Sequence, residues 1–294
     1  MTHNLGYSYR LQLDDKAAGH TALSFLTSRY RHSTEAQWAS RIREGQVLLN
    51  DKIAEGSQVL SPGMVMIWNR PGWSEEETPQ NFDVEFEDEY LLAVSKPSGL
   101  PTLPGAGFYL NTLLSFVRSR YPTARPLHRL GRGTSGLVLF ALCHEAARGL
   151  TRDWRKVEKQ YQALGENSAC RDEYDIRSPI GLIDHPRLGR VYAADAHGKE
   201  ARSVARPLKR CIDSTIFEVD LHSGRPHQIR IHLACIGHPL VGDPLFARDG
   251  RLRESPGLPG DLGYLLHAKR LCLEHPITKK FLEIGSELPP ELTV

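Results

Sequence analysis

Two short stretches of the 294-residue chain concentrate side chains that could do chemistry. The first runs Pro126-Leu127-His128-Arg129-Leu130-Gly131-Arg132-Gly133-Thr134-Ser135-Gly136. Its closely spaced glycines let a backbone approach a ligand, while His128, Arg129 and Arg132 offer donors to an anion. The second, His222-Ser223-Gly224-Arg225-Pro226-His227-Gln228-Ile229-Arg230-Ile231-His232, is equally basic and also turns on a glycine and a proline. Lys96 ends a short apolar run before the rigid Pro97-Ser98-Gly99 turn, where it could meet a phosphate or simply lie on the surface. The Gly131 to Gly136 run lacks the lysine of a G-K-[ST] phosphate loop, which sets aside a nucleotide hydrolase. His185 and His197 sit in turn-like segments without metal-ligand spacing and read as surface residues.

These residues need elements to hold them. Leu23, Leu26 and Tyr30 fall at helical spacing, and Trp38 and Ile42 mark a second helix, capped at Ser33 or Thr34 and stopped at Gly45. Short strands are expected at Gln46 to Asn50 and Met64 to Trp68, separated by the Asn50-Asp51 and Pro62-Gly63 turns. Thr78-Pro79-Gln80 reads as a linker, which divides the chain into a small module (1–73), a connecting segment (74–81) and a larger domain (82–294). Within the larger domain, Phe82 to Phe86 alternates as a strand, and Tyr90 to Val94 and Leu137 to Leu142 read as buried ones. Leu110 to Tyr121 and Glu145 to Lys156 have helical periodicity, Lys159 to Ala163 and Ile216 to Leu221 read as strands, and Gln228 opens a helix that stops at Gly237. Residues 171–210 carry little pattern, and Leu265 to His275 reads as a last helix or strand pair. Strands and helices do not alternate regularly, so the expected class is α+β, a mostly antiparallel mixed sheet with peripheral helices, rather than a doubly wound sheet.

Composition bounds the partners. Hydrophobic residues make 40% and charged residues 24% of the chain, as in ordinary globular proteins. The net charge of +2 decides nothing, but its distribution is uneven. Arg118, Arg120, Arg125, Arg129 and Arg132 lie in one stretch without an acid, whereas residues 75–89 hold eight acids and no base. Basic blocks of this kind suit phosphates, and equally suit a solvated face. Five scattered cysteines without a C-x-x-C pair fit a reducing compartment and no disulfide framework. Met1 to Tyr9 has no signal-peptide core, and no apolar run approaches the ~18 residues of a membrane span, so a cytoplasmic protein is expected.

Together the dense stretches resemble the active-site motifs of the RluA-type RNA pseudouridine synthases. The resemblance covers about residues 82–285. It is carried by Lys96-Pro97-Ser98-Gly99-Leu100-Pro101, His128-Arg129-Leu130 followed by Thr134-Ser135-Gly136, Lys159-Gln160-Tyr161, and Gly224-Arg225-Pro226-His227-Gln228-Ile229-Arg230. The N-terminal pattern of two helices, Arg41-x-Arg43, a short strand and a turn resembles a small RNA-binding module shared with a ribosomal small-subunit protein. In that module Arg41, Arg43 and Lys52 would meet phosphates.

The resemblance implies an enzyme that isomerises uridine in ribosomal or transfer RNA, with no cofactor and no membrane attachment, acting as a monomer. The family breaks the glycosidic bond, turns the base and rejoins it through carbon, which requires the base to leave the stack. By resemblance, Arg129 fills the gap, Tyr161 stacks on the uracil for ~1–3 kcal/mol, and Arg230 pairs with the catalytic carboxylate. Lys96, His128, Arg132, Arg225 and His227 would contact the RNA. One position departs: the family pattern is His-Arg-Leu-Asp, and here the fourth residue is Gly131. Three alternatives follow. Another acid, Asp220 or Asp243, takes the place; the chain binds RNA without isomerising it; or the substitution is inactivating.

Overall fold

Thr21 and Thr34 open the first two helices in the same way. Each side chain accepts the N–H of the third helical residue, and Ser24 or Gln37 accepts back from the cap N–H, so two orphan donors are satisfied at each start. The computed structural model describes residues 2–294, which divide into two units between Glu75 and Glu76.

The first unit contains β1 (Thr2–His3), β2 (Tyr7–Gln12), α1 (Ala22–Arg29), α2 (Glu35–Arg43), β3 (Val47–Leu49), β4 (Lys52–Ile53), β5 (Val65–Arg70) and β6 (Ser74–Glu75). Strands β2-β5-β3-β4 form one antiparallel sheet, and β1 pairs with β6. The helices bury Leu26, Trp38 and Ile42 against Val47, Leu49 and Met66, as their spacing predicts, together with Phe25, while Leu23 and Tyr30 are only partly buried. Ser74 and Glu75, expected in the connecting segment, belong to β6.

The second unit runs β7 (Asp83–Glu87), β8 (Leu91–Lys96), α3 (Leu113–Arg120), β9 (Arg125–Pro126), β10 (Ser135–Ala141), α4 (His144–Asp153) and β11 (Glu158–Glu166). It continues with β12 (Tyr174–Ile176), β13 (Ile180–His185), β14 (Gly189–Ala194), β15 (Ser203–Arg210), β16 (Ser214–Leu221), α5 (Gln228–Cys235), β17 (Leu266–Glu274) and β18 (Phe281–Gly285). A ten-stranded sheet carries the order β12-β15-β16-β11-β17-β10-β8-β7, with β18 on β17 and β9 on β10. Every pairing is antiparallel except β10 with β17. The α+β class, mostly antiparallel with few helices, is therefore what the chain adopts.

The unbroken apolar runs of β8 and β10 have a simple cause. Leu91 to Val94 and Leu137 to Ala141 are fully buried, so neither face of these central strands needs polar residues. Gly136 is obligatory where β10 meets β17, because at φ +99° a Cβ would lie 2.3 Å from the Ala268 carbonyl oxygen. The unpatterned segment 171–210 forms β12, the β13–β14 hairpin and β15. α5 packs its Ile231 and Ala234 against Ile180 and Ala193 of that hairpin and against Phe246. No helix among the described residues is long and apolar enough to cross a membrane.

Candidate functional site

The loop between β9 and β10 holds the first dense stretch, and the Lys96–Thr102 segment fastens it. Gly99 N–H donates to the Arg132 carbonyl (2.9 Å), Ser98 Oγ to that of Gly133 (2.8 Å) and Thr102 Oγ1 to that of Leu130 (2.9 Å). Lys96 completes the fastening. Its side chain is 0% exposed, and Nζ donates to the carbonyls of Pro97 (2.9 Å), Leu100 (2.7 Å) and Arg132 (3.2 Å). Lys96 is therefore a pin between two loops, and the expectation of a phosphate contact is corrected by its burial. Burial, with Arg132 nearby, pushes its pKa down to about 7, while three carbonyl acceptors matching three N–H donors work in the opposite sense. Lys96→Met is expected to destabilise the protein by about 3 kcal/mol, read from urea unfolding, because three buried carbonyls lose their donor. The salt dependence of RNA binding should not change.

His128 is half-buried and is corrected by its engagement. Its ring stacks on Trp154 (4.9 Å), Nε2 accepts from the Leu139 N–H (3.0 Å), and burial and then Lys159 push its pKa down to about 3. It is a neutral tie to β10, not a cation for a phosphate. His227 caps α5 with φ 57° and ψ 18°, and burial followed by Arg230 lowers its pKa to about 4, so it too is neutral near pH 7. Arg132 is half-buried; it pairs with Glu76, donates to the Gly99 carbonyl (3.1 Å) and lies over Phe108. Arg225 donates to the Glu200 carbonyl (3.0 Å). Arg129 remains exposed, as do Arg43 and Lys52 in the first unit, whereas Arg41 is half-buried.

His267, pushed to about 4 by burial, joins His128 and His227. All three have folded pKa values below the unfolded value of about 6.5, so the unfolded chain binds more protons between these limits. Unfolding free energy should therefore fall as pH drops from about 6.5 to about 4, by up to ~1.4 kcal/mol per pH unit for each histidine, in urea titrations across that range.

The second dense stretch delivers Arg230 from the buried face of α5. Its side chain is 2% exposed and that of Asp243 0%. Nε donates to Asp243 Oδ2 and Nη2 to Oδ1, both at 2.7 Å, and Nη1 donates to the Pro259 carbonyl (3.0 Å). Asp243 Oδ1 also accepts from the N–H groups of Leu245 (2.8 Å) and Phe246 (3.1 Å). Burial alone would lower the arginine's proton affinity, but the bonds to Asp243, helped by Tyr264, raise it above the ordinary value. The guanidinium lies between the rings of Tyr264 (4.2 Å) and Phe246 (5.2 Å).

Tyr264, which the sequence reading did not single out, joins the two stretches. It is 3% exposed, and its hydroxyl lies 3.3 Å from Thr134 Oγ1. A Cβ added to Gly131 would meet that hydroxyl at 3.2 Å, and one added to Gly133 would meet the ring at 3.0 Å. The two glycines thus leave room for the phenol. Gly131 itself is exposed, and its φ lies outside the left-handed region, so no backbone strain demands glycine there. Tyr161 sits mid-strand in β11, 8% exposed, between Val219 of β16 and Ala268 of β17. Ala268 in turn pairs with Gly136 of β10, which brings Tyr161 into the same row of the sheet as the end of the first stretch. Burial pushes its phenol up to about 12, so it is neutral.

Asp220 lies elsewhere. It pairs with Gln160 across β16 and β11, one residue out of phase with Tyr161 and Val219, and so faces the opposite side of the sheet. Its carboxylate is taken by Arg206 (2.6 Å) and Gln160 (3.1 Å).

Comparison with known proteins supplies the lineage of this arrangement. A model of the RNA pseudouridylate synthase family matches residues 90–235, which include both loops and Tyr161. An uncharacterised RNA pseudouridine synthase of Synechocystis sp. is 39% identical over 275 residues, covering 92% of this chain and 94% of the relative. The chain belongs to the RNA pseudouridine synthase family. Its RluA-type character appears in the dual-specificity RNA pseudouridine synthase RluA of Pasteurella multocida, 34% identical over 72% of this chain and 95% of that one. The solved structure of human RNA pseudouridylate synthase domain containing 1 shares the fold, with a TM-score of 0.59 over 75% of this chain and 89% of that chain, at 24% identity. As a member of this family, the synthase-like chain has RNA as its implied partner.

Proposed function

We propose that this synthase-family protein binds structured ribosomal or transfer RNA, holds a flipped uridine against Tyr161, and does not isomerise it. The observation that carries this reading is the state of the nearest acid on either side of Arg230 in the sequence. Isomerisation needs a carboxylate at the sugar, the family places it at the position of Gly131, and glycine supplies none. Asp243 pairs with Arg230 as the family carboxylate would, but it is fully buried and its Oδ1 is also held by two backbone N–H groups, while Asp220 faces the other side of the sheet. Arg129 remains exposed at the loop, available to enter the gap left by a flipped base. The test pairs binding with chemistry: salt-sensitive retention of cellular RNA that Arg129→Ala weakens, with no tritium release from carbon-5-tritiated uridine in that RNA.

One observation favours a second reading, in which the protein is an active isomerase. The Tyr264 hydroxyl lies beside Gly131 with Arg230 against its ring, a polar group bordering the space of the family carboxylate. Under that reading the protein releases tritium, and Tyr264→Phe abolishes the release.

A further inference from the structure

The first unit contains a groove of about 370 Å³ between α2, the end of β5 and the Pro71-Gly72-Trp73 turn. Its volume falls within the ~300–1,000 Å³ of ordinary ligand sites. Two arginine–tryptophan stacks line it. The Arg41 guanidinium lies 4.9 Å from the Trp68 ring centre, and that of Arg70 lies 3.5 Å from that of Trp73. Arg41 is held in place by Trp38 beneath it (4.6 Å) and by a bond from Nη1 to Ser33 Oγ (2.8 Å). On the neighbouring strand Tyr9, which is exposed, stacks on Trp68 at 5.2 Å with 18° between the rings.

A single cation over an aromatic ring is common and needs no ligand. Here two cations line one groove. The acid at its rim, Glu44, is engaged with Ser40 (2.8 Å) and Gln46 (2.7 Å). Arg41 has its proton affinity lowered first by burial and then by the charge of Arg70, with Glu44 acting in the opposite sense, so an anion between the two arginines would offset their repulsion. Trp68 is already stacked by Tyr9 and by His32 (6.0 Å, 22° between the rings), which leaves the Arg70–Trp73 pair, with positive charge beside it, to match an unstacked base and its phosphate.

We propose that this groove is a nucleobase site. One unstacked base of single-stranded RNA stacks in the groove at the Arg70–Trp73 pair, and its phosphate lies on Arg41 and Arg70. The inference deepens the RNA-binding reading by adding a second contact point on the first unit.

Tryptophan fluorescence of the full chain, titrated with an adenosine octamer, an abasic octamer and adenosine monophosphate, tests it. The octamer should quench. The abasic strand should bind at least fivefold more weakly, the lower bound for loss of one stacked base. Trp73→Leu should weaken the octamer at least fivefold at unchanged salt slope, and Arg70→Gln should reduce that slope by about 0.7. Equal binding of the abasic strand, or an unaffected Trp73→Leu protein together with an unchanged Arg70→Gln slope, would overturn the proposal. So would monophosphate binding as tight as the octamer's, which would make the ligand a free nucleotide. Arg129→Ala separates this from the cleft. Octamer quenching that survives a failed cleft leaves the groove standing, and structured-RNA binding that depends on Arg129 without octamer quenching overturns the groove alone.

Discussion

Gly131→Asp is expected to create tritium release where the natural chain has none, at least about 100-fold above background with carbon-5-tritiated uridine in RNA. A positioned group that exchanges a proton in the transition state contributes ~10²–10⁴-fold, which sets the lower bound. The backbone accepts the change, since residue 131 is outside the left-handed region and exposed. The obstacle is local. The new Cβ meets the Tyr264 hydroxyl at 3.2 Å and Thr134 Oγ1 at 3.5 Å, so the phenol must move by a few tenths of an ångström. Gly131→Asp combined with Tyr264→Phe removes the closest atom and should release tritium at least as fast as the single variant. If the natural chain already uses the Tyr264 hydroxyl, the order reverses and the double variant is the slower.

The second large effect is structural. Asp243→Asn should lower stability by about 3–5 kcal/mol, because it leaves the Arg230 guanidinium charged, buried and without its counterion. For a unit of this size each kcal/mol moves the melting temperature by ~2–4 °C, so calorimetry should show a fall of about 6–20 °C. Replacing both partners with apolar residues should cost less than replacing either one, since removing a buried pair together leaves no lone charge. The same pair gives the buried Arg230 an ion partner although residue 131 is glycine: Asp243, thirteen residues along the chain.

Much of this was legible in the sequence, for identifiable reasons. The strands at Leu91 and Leu137 and the helices at Leu23 and Trp38 announce themselves because burial writes directly into residue pattern, at periods of one, two or 3.6. The RNA pseudouridine synthase lineage was legible because its loops need specific residues at fixed spacing. The hairpin β13–β14 was not, since it buries His185, which reads as a surface residue, beside Ile180, Val191 and Ala193, and leaves the apolar Leu182 and Tyr192 exposed. Lys96 and His128 look like phosphate contacts in a sequence because charge is visible there and burial and engagement are not. Only the fold shows three carbonyls converging on Lys96. Tyr264 was invisible for another reason: its partners Gly131, Gly133 and Arg230 come from two distant segments, and no spacing links them. The glycines were visible, but the ring that fills the space above them was not.

Tritium release from the total RNA of a strain lacking the protein, incubated with the purified natural chain and with Gly131→Asp, tests the central claim most directly. The expected result is RNA retention by both proteins, release with Gly131→Asp, and none with the natural chain. Release by the natural chain that is lost in Tyr161→Phe and Arg230→Ala would contradict the account and establish an isomerase working without a carboxylate at residue 131.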